Sequence, residues 1–78
     1  MKNVLIYSTP TCTYCTMAKD FFKKNNITYT EFNVASDALR RKEMVEKSGQ
    51  MGVPVIDIDG QVVVGFDKGT VADLLGVK

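Results

Sequence analysis

Thr11-Cys12-Thr13-Tyr14-Cys15 is the stretch whose reading decides the fold, because it holds both cysteines at C-x-x-C spacing between an apolar run and a helical pattern. Ahead of it, Val4-Leu5-Ile6-Tyr7 reads as a buried strand that Ser8-Thr9-Pro10 breaks. After it, Met17, Ala18, Phe21 and Phe22 recur at one and four residues, the stripe of an amphipathic helix. The cysteines therefore sit where a strand-loop connection ends and a helix begins. The first turn of a helix has amide N–H groups without partners and carries partial positive charge. A sulfur held there is stabilised as thiolate, the form that acts as nucleophile. Cys12, just before or at the first helical residue, is placed to be that thiolate. Cys15 comes one turn later against the apolar face and is expected to be the less exposed of the two. The pair reads as attack on a disulfide by Cys12 and resolution of the mixed disulfide by Cys15.

Two other readings of the pair stand beside this one. C-x-x-C is half of many zinc sites, but the chain has no other cysteine and no histidine, so a metal site would need two copies. The alternative is a pair of core cysteines that are close only by chance, against which the helix-start placement argues.

Size and composition narrow the classes further. The chain has 78 residues, of which 45% are hydrophobic, enough for one small core without cysteines as a scaffold. Formal charge is +1, and no basic run exceeds Arg40-Arg41-Lys42, so nucleic acid is not an expected partner. No apolar stretch approaches the roughly 18 residues of a membrane span. The N-terminal apolar run is too short for a signal peptide, and a C-x-x-C chain without an export signal fits a reducing, cytoplasmic setting.

In chain order, strand one is expected over Lys2–Tyr7, covered on both faces, and helix one over Thr13–Lys24, ended by Asn25-Asn26. Ile27–Val34 is rich in β-branched and aromatic residues and reads as a second strand, at an edge or ending early because its alternation slips. Ser36 or Asp37 caps a second helix to about Lys47, with Gly49 as its stop and a thin apolar face of Ala38, Leu39, Met44 and Val45. Val53–Asp59 is the third strand, with Pro54 at its start. Asp59-Gly60 is a two-residue hairpin signal into a fourth strand over Gln61–Val64. Asp67 caps a last short helix faced by Val71, Leu74 and Leu75. This β-α-β-α-β-β-α order builds one α/β domain over 1–78, a four-stranded mixed sheet flanked by helices.

With these elements in place, the chain resembles a glutaredoxin, of the thioredoxin-like fold. The resemblance rests on Ile6-Tyr7 with Cys12-Thr13-Tyr14-Cys15, on Val53-Pro54, and on Gly65-Phe66-Asp67, at family spacing. It implies a thiol–disulfide oxidoreductase with Cys12 as nucleophile and Cys15 as resolving thiol. Glutathione would be the reductant, acting on protein disulfides and glutathione mixed disulfides, in a monomer without metal. Thr11, Thr13 and Tyr14 would flank the sulfur. Met51, Gly52, Val53 and Pro54 would supply a cis-proline segment whose Val53 backbone pairs with an extended thiol peptide. Gly65, Phe66, Asp67 and Lys68 would meet a carboxylate or the amino group of glutathione at a helix N-terminus. Several positions depart from the family. Thr13 stands where proline is usual, Thr9 where a lysine is common, and Gln50 where an arginine is common. Gly52 replaces a threonine, and Val64 replaces the first glycine of a pair. Cationic contacts to glutathione are thinner as a result, with Lys19, Arg40 and Arg41 as candidate substitutes. Two alternatives follow: a disulfide reductase fed by thioredoxin reductase, of the kind that donates electrons to ribonucleotide reductase, and an iron–sulfur or zinc dimer.

Overall fold

A computed structural model of the chain describes residues 2–77. The elements are β1 (Val4–Ser8), α1 (Thr13–Lys24), β2 (Thr30–Asn33), α2 (Ala38–Ser48), β3 (Val55–Ile58), β4 (Gln61–Val64) and α3 (Lys68–Leu75). One sheet holds all four strands in the order β2-β1-β3-β4. β1 pairs parallel with β2 and antiparallel with β3, and β3 pairs antiparallel with β4. This is the four-stranded mixed sheet of a thioredoxin-like fold.

Alternation along the strands sends side chains to two cores. Val4 and Ile6 of β1, Ile56 and Ile58 of β3, and Val63 of β4 pack with Ala18 and Phe22 of α1 and Val71 of α3. On the opposite face, Tyr7 and Val55 pack with Val34 and with Met44 of α2. β1 is thus covered on both sides, as its uninterrupted apolar run implies. The thin face of α2 is a single buried residue, Met44, with Leu39 left 81% exposed.

Several boundaries differ from the reading of the sequence. Ser8 is the last residue of β1 rather than a breaker, fully buried because its hydroxyl donates to the Glu31 carboxylate at 2.8 Å. β2 begins only at Thr30, since Ile27 and Tyr29 turn into the core beneath α1 before the ladder starts. β3 begins after Pro54, which lacks the N–H a ladder position needs. The hairpin is as expected: Asp59 and Gly60 both have positive φ, 51° and 90°, the backbone that matches the twist of the flanking strands. Asp37 rather than Ser36 caps α2, its carboxylate accepting from the Arg40 N–H at 3.1 Å. Gly49 ends that helix in the left-handed region.

Candidate active site

The strand-loop-helix connection sets Cys12 as the N-cap of α1. Its φ and ψ of −88° and 112° are extended, and its Sγ accepts the Cys15 N–H at 3.1 Å. The loop is closed behind it by the Cys12 N–H on the Thr9 carbonyl at 3.3 Å. The Cys12 carbonyl receives the Thr16 N–H at 3.2 Å as the first bond of the helix. A sulfur in an N-cap place takes the role usually filled by Ser or Asp oxygen, so negative charge on it meets an amide dipole already aimed at it. Cys12 and Cys15 are paired as a disulfide, with Cα atoms 5.2 Å apart. Cys15 is fully buried beneath α1, whereas Cys12 is half-buried, the asymmetry expected from the sequence.

Beside the pair lies an open cleft of about 380 Å³ lined by Tyr14, Val53, Pro54, Val64, Gly65, Phe66 and Asp67. Three separated segments converge there. The Val53–Pro54 peptide is cis. The Gly65 N–H donates to the Pro54 carbonyl at 2.8 Å, tying the end of β4 to that segment. Gly65 has φ of 79°, a conformation that glycine adopts without a Cβ penalty. Among the described residues, the Val53 N–H and C=O have no hydrogen-bond partner. Asp67 caps α3, accepting from the Thr70 N–H at 3.3 Å and the Thr70 hydroxyl at 3.0 Å.

The other residues that the resemblance points to lie outside this cleft. Thr11 and Thr13 flank Cys12 on the exposed surface, and Met51 and Gly52 are exposed on the approach to Val53. Gln50 folds back on its own loop, its amide donating to the Gly52 carbonyl at 3.1 Å. Lys68 lines a neighbouring groove instead, with Phe66 shared between the two. None of the candidate cationic substitutes reaches the cleft. Lys19 pairs with Glu31 at 2.9 Å, and Arg41 donates to the Val34 carbonyl at 3.2 Å. Arg40 pairs with Glu43 at 2.8 Å and sits 4.1 Å over the Phe32 ring.

A polar network that sequence reasoning missed lies on the α2 face. Lys47 Nζ donates to Asp57 Oδ2 at 2.7 Å and to the Tyr7 hydroxyl at 2.8 Å. That hydroxyl in turn donates to Glu43 Oε1 at 2.8 Å. Burial pushes the Tyr7 phenol above its ordinary range. Burial also works against the Lys47 cation, but Asp57 and Tyr7 outweigh it and hold the ammonium well above its usual range. The hydrogen bond from Tyr7, helped by Arg40, keeps Glu43 below the usual carboxylate range. Lys19 and Ser8 do the same for Glu31, with Lys19 the larger cause. The available signal was Asp57 itself, an acid inside the apolar run Val55-Ile56-Asp57-Ile58, which demands a partner once buried.

A mixed four-stranded sheet with a C-x-x-C pair at the N-terminus of its first helix, whose Tyr14 shares a cleft with a cis-proline segment, defines a thioredoxin-fold protein with a dithiol site. The comparisons narrow that class. The glutaredoxin family model matches residues 4–63, and on that match the chain belongs to the glutaredoxin family. A protein of Clostridium pasteurianum, named an uncharacterized glutaredoxin-like 8.6 kDa protein in the rubredoxin operon, is 47% identical over 72 residues. That alignment covers 92% of this chain and 96% of the relative. Glutaredoxin 3 of Escherichia coli K12 is 39% identical over 67 residues, covering 86% and 81% of the two chains. Among solved structures, a thioredoxin-like protein superposes with a TM-score of 0.87 at 35% identity, over 92% of this chain and 99% of that one. Glutaredoxin 1 of Francisella tularensis gives 0.78 at 29%, over 97% and 99%.

Proposed function

We propose that the protein is a glutathione-dependent thiol–disulfide oxidoreductase that reduces protein disulfides and glutathione mixed disulfides. The observation that carries this reading is the Cys15 N–H aimed at Cys12 Sγ at 3.1 Å. In the reduced protein that amide faces a thiolate, and a hydrogen bond to a charged acceptor is about twice as strong as a neutral one. The Cys12 thiolate attacks one sulfur of the substrate disulfide. A new bond to Cys12 forms, the old disulfide breaks, and the other half leaves as thiolate and takes up a proton. Cys15 then loses its proton and attacks Cys12 Sγ, closing the intramolecular disulfide and releasing the second half of the substrate. Alternatively, a glutathione thiolate resolves the adduct on Cys12 directly. Two glutathione molecules return the oxidised protein to the dithiol, giving up two electrons as glutathione disulfide.

In this reading Tyr14, Val53, Pro54 and Gly65 shape the seat of the substrate thiol. The free Val53 backbone pairs with an extended peptide, and Asp67 meets an amino group. Thr11, Thr13, Met51, Gly52, Phe66 and Lys68 form its margin, and the protein works as a monomer in a reducing compartment. The test is a pair of variants assayed with glutathione, glutathione reductase and NADPH. Cys12→Ser abolishes turnover, whereas Cys15→Ser keeps activity on glutathione mixed disulfides. Equal, complete loss in both refutes the division of roles.

One observation favours a second electron source. The cleft is lined by no lysine or arginine, and its one charged residue is Asp67. Glutathione brings two carboxylates and one ammonium, so this lining offers its anionic ends no ion pair. Replacing glutathione and its reductase by thioredoxin reductase in the same assay separates the two readings by which supports turnover.

A further inference from the structure

α1 carries two apolar stripes rather than the single one its sequence suggests. Cys15, Ala18 and Phe22 are buried against the sheet. Tyr14, Met17 and Phe21, at i, i+3 and i+7, share a second face that stays in contact with solvent. Tyr14 is 61% and Met17 47% exposed, and Phe21 is half-buried. This stripe begins two residues from Cys12 and runs along a groove of about 270 Å³ lined by Met17, Asp20, Phe21, Lys24, Phe66 and Lys68. Phe66 joins that groove to the cleft at Pro54, with its ring centroid 5.8 Å from that of Phe21. The rim is basic. Lys68 Nζ stands 5.8 Å over the Phe21 ring. Among the described residues neither Lys24 nor Lys68 has a carboxylate within ion-pair distance, in contrast to Lys19, Arg40 and Lys47. Two lysines face one aspartate, Asp20, so the groove is positive while the cleft beside Cys12 is not.

We propose that the substrate is a polypeptide that, with its cysteine at Cys12, lays an apolar side chain on Met17, Phe21 and Phe66 and a carboxylate between Lys24 and Lys68. This inference rests on the oxidoreductase reading above and names the partner class of that site. Exposed apolar side chains grouped beside a reactive sulfur mark an interaction surface rather than scattered exposure. The unpaired ammonium groups select an acidic partner over a basic one. Reach sets the spacing. From Cys12 to Phe21 the helix rises about 13 Å, and to Lys24 about 18 Å. An extended chain covers about 3.4 Å per residue, so the apolar anchor falls about three to four residues from the partner's cysteine and the carboxylate about five. Glutathione, with one residue on each side of its cysteine and no apolar side chain, does not reach this surface.

The test uses the reduced full-length protein and three synthetic peptides, each with a central cysteine in a mixed disulfide with 2-mercaptoethanol. One carries Phe and Glu at those spacings on both flanks, one Phe and Lys, and one Ser and Glu, with 2-hydroxyethyl disulfide as the small neutral substrate. The Phe/Glu peptide is expected to react with a kcat/KM about tenfold above each of the others at low ionic strength. Lys24→Glu is expected to abolish the preference for Glu over Lys while leaving 2-hydroxyethyl disulfide reduction unchanged. Equal rates on the three peptides, or an unaltered charge preference in Lys24→Glu, overturns this inference while the oxidoreductase reading stands. No reduction of any of the four compounds overturns both.

Discussion

Replacing Lys47 by Met keeps the aliphatic stem and removes only the ammonium that spans α2 and β3. Asp57 Oδ2 then loses its partner, while Oδ1 keeps the Gly60 N–H at 2.7 Å. The Asp57 side chain is 10% exposed and that of Lys47 27%, so the pair lies between the two limiting cases. An exposed ion pair contributes about 0.2–1 kcal/mol. Breaking a fully buried one by removing a single partner costs about 3–5 kcal/mol. Partial hydration of the lysine end puts Lys47→Met near 2 kcal/mol, in line with the roughly 1.5–3 kcal/mol of a hydrogen bond to a charged group. A domain of this size has about 4–12 kcal/mol in total, so the loss is large. It corresponds to a fall in Tm of about 8–16 °C. Urea unfolding of the oxidised protein at pH 7 measures it, and adding Asp57→Leu to Lys47→Met should restore at least half, because the stranded carboxylate is then gone. A loss under about 0.5 kcal/mol in the single variant, or no recovery in the double, would refute the assignment of this network as the tie between α2 and the sheet. Reduction of 2-hydroxyethyl disulfide at 25 °C should be retained in Lys47→Met, since the network touches none of the groups around Cys12.

Two further outcomes follow from the same geometry. Glu31 and Glu43 are both held below the ordinary carboxylate value of 4.5, so the stability they contribute is present above that pH and lost as pH falls through their lower folded values. The urea midpoint should be flat down to pH 5 and drop beneath about 4.5, and the Glu31→Gln/Glu43→Gln double variant should flatten that acid limb; an unchanged limb counts against these two ion pairs as its origin. Gly65→Ala meets no atom within 4 Å but places an L residue at φ of 79°. It should cost about 1 kcal/mol in urea unfolding, and a raised KM for peptide disulfides would follow if the tie from Gly65 to Pro54 shapes the cleft.

Element order, the starts of the three helices and the hairpin were legible in the sequence because each rests on local chemistry. The helix start beside Cys12, a cap at Ser36 or Asp37, Asp67 as a cap, and Asp59-Gly60 as a turn need only their immediate neighbours, whereas the cap role of the Cys12 sulfur and the choice of Asp37 came from the structure. The cis peptide at Val53-Pro54 and the meeting of Tyr14 with Gly65 and Phe66 came from the family resemblance, since no local rule brings those segments together. What stayed hidden depends on tertiary partners. Ser8 reads as a breaker until Glu31 is known to accept its hydroxyl. Lys19, Arg40 and Arg41 read as free cations until their partners are in view. Lys47 reads as an ordinary lysine in a last helical turn, and its link to Asp57 and Tyr7 crosses from helix to sheet. The second stripe of α1 is legible only in part, because periodicity reports that Met17 and Phe21 are apolar and near one face, not whether anything covers them.

Because one sulfur serves both as the end-piece of a helix and as the atom that changes oxidation state, folding and electron transfer draw on a single free energy in this protein. Whatever tightens the opening turn of α1 around an anionic Cys12 favours the dithiol over the disulfide, and so makes the protein a stronger oxidant and a weaker reductant. Substitutions at Thr16, whose hydroxyl donates to the Cys12 carbonyl, are therefore levers on redox poise, and the stability difference between the two oxidation states is the quantity through which they act.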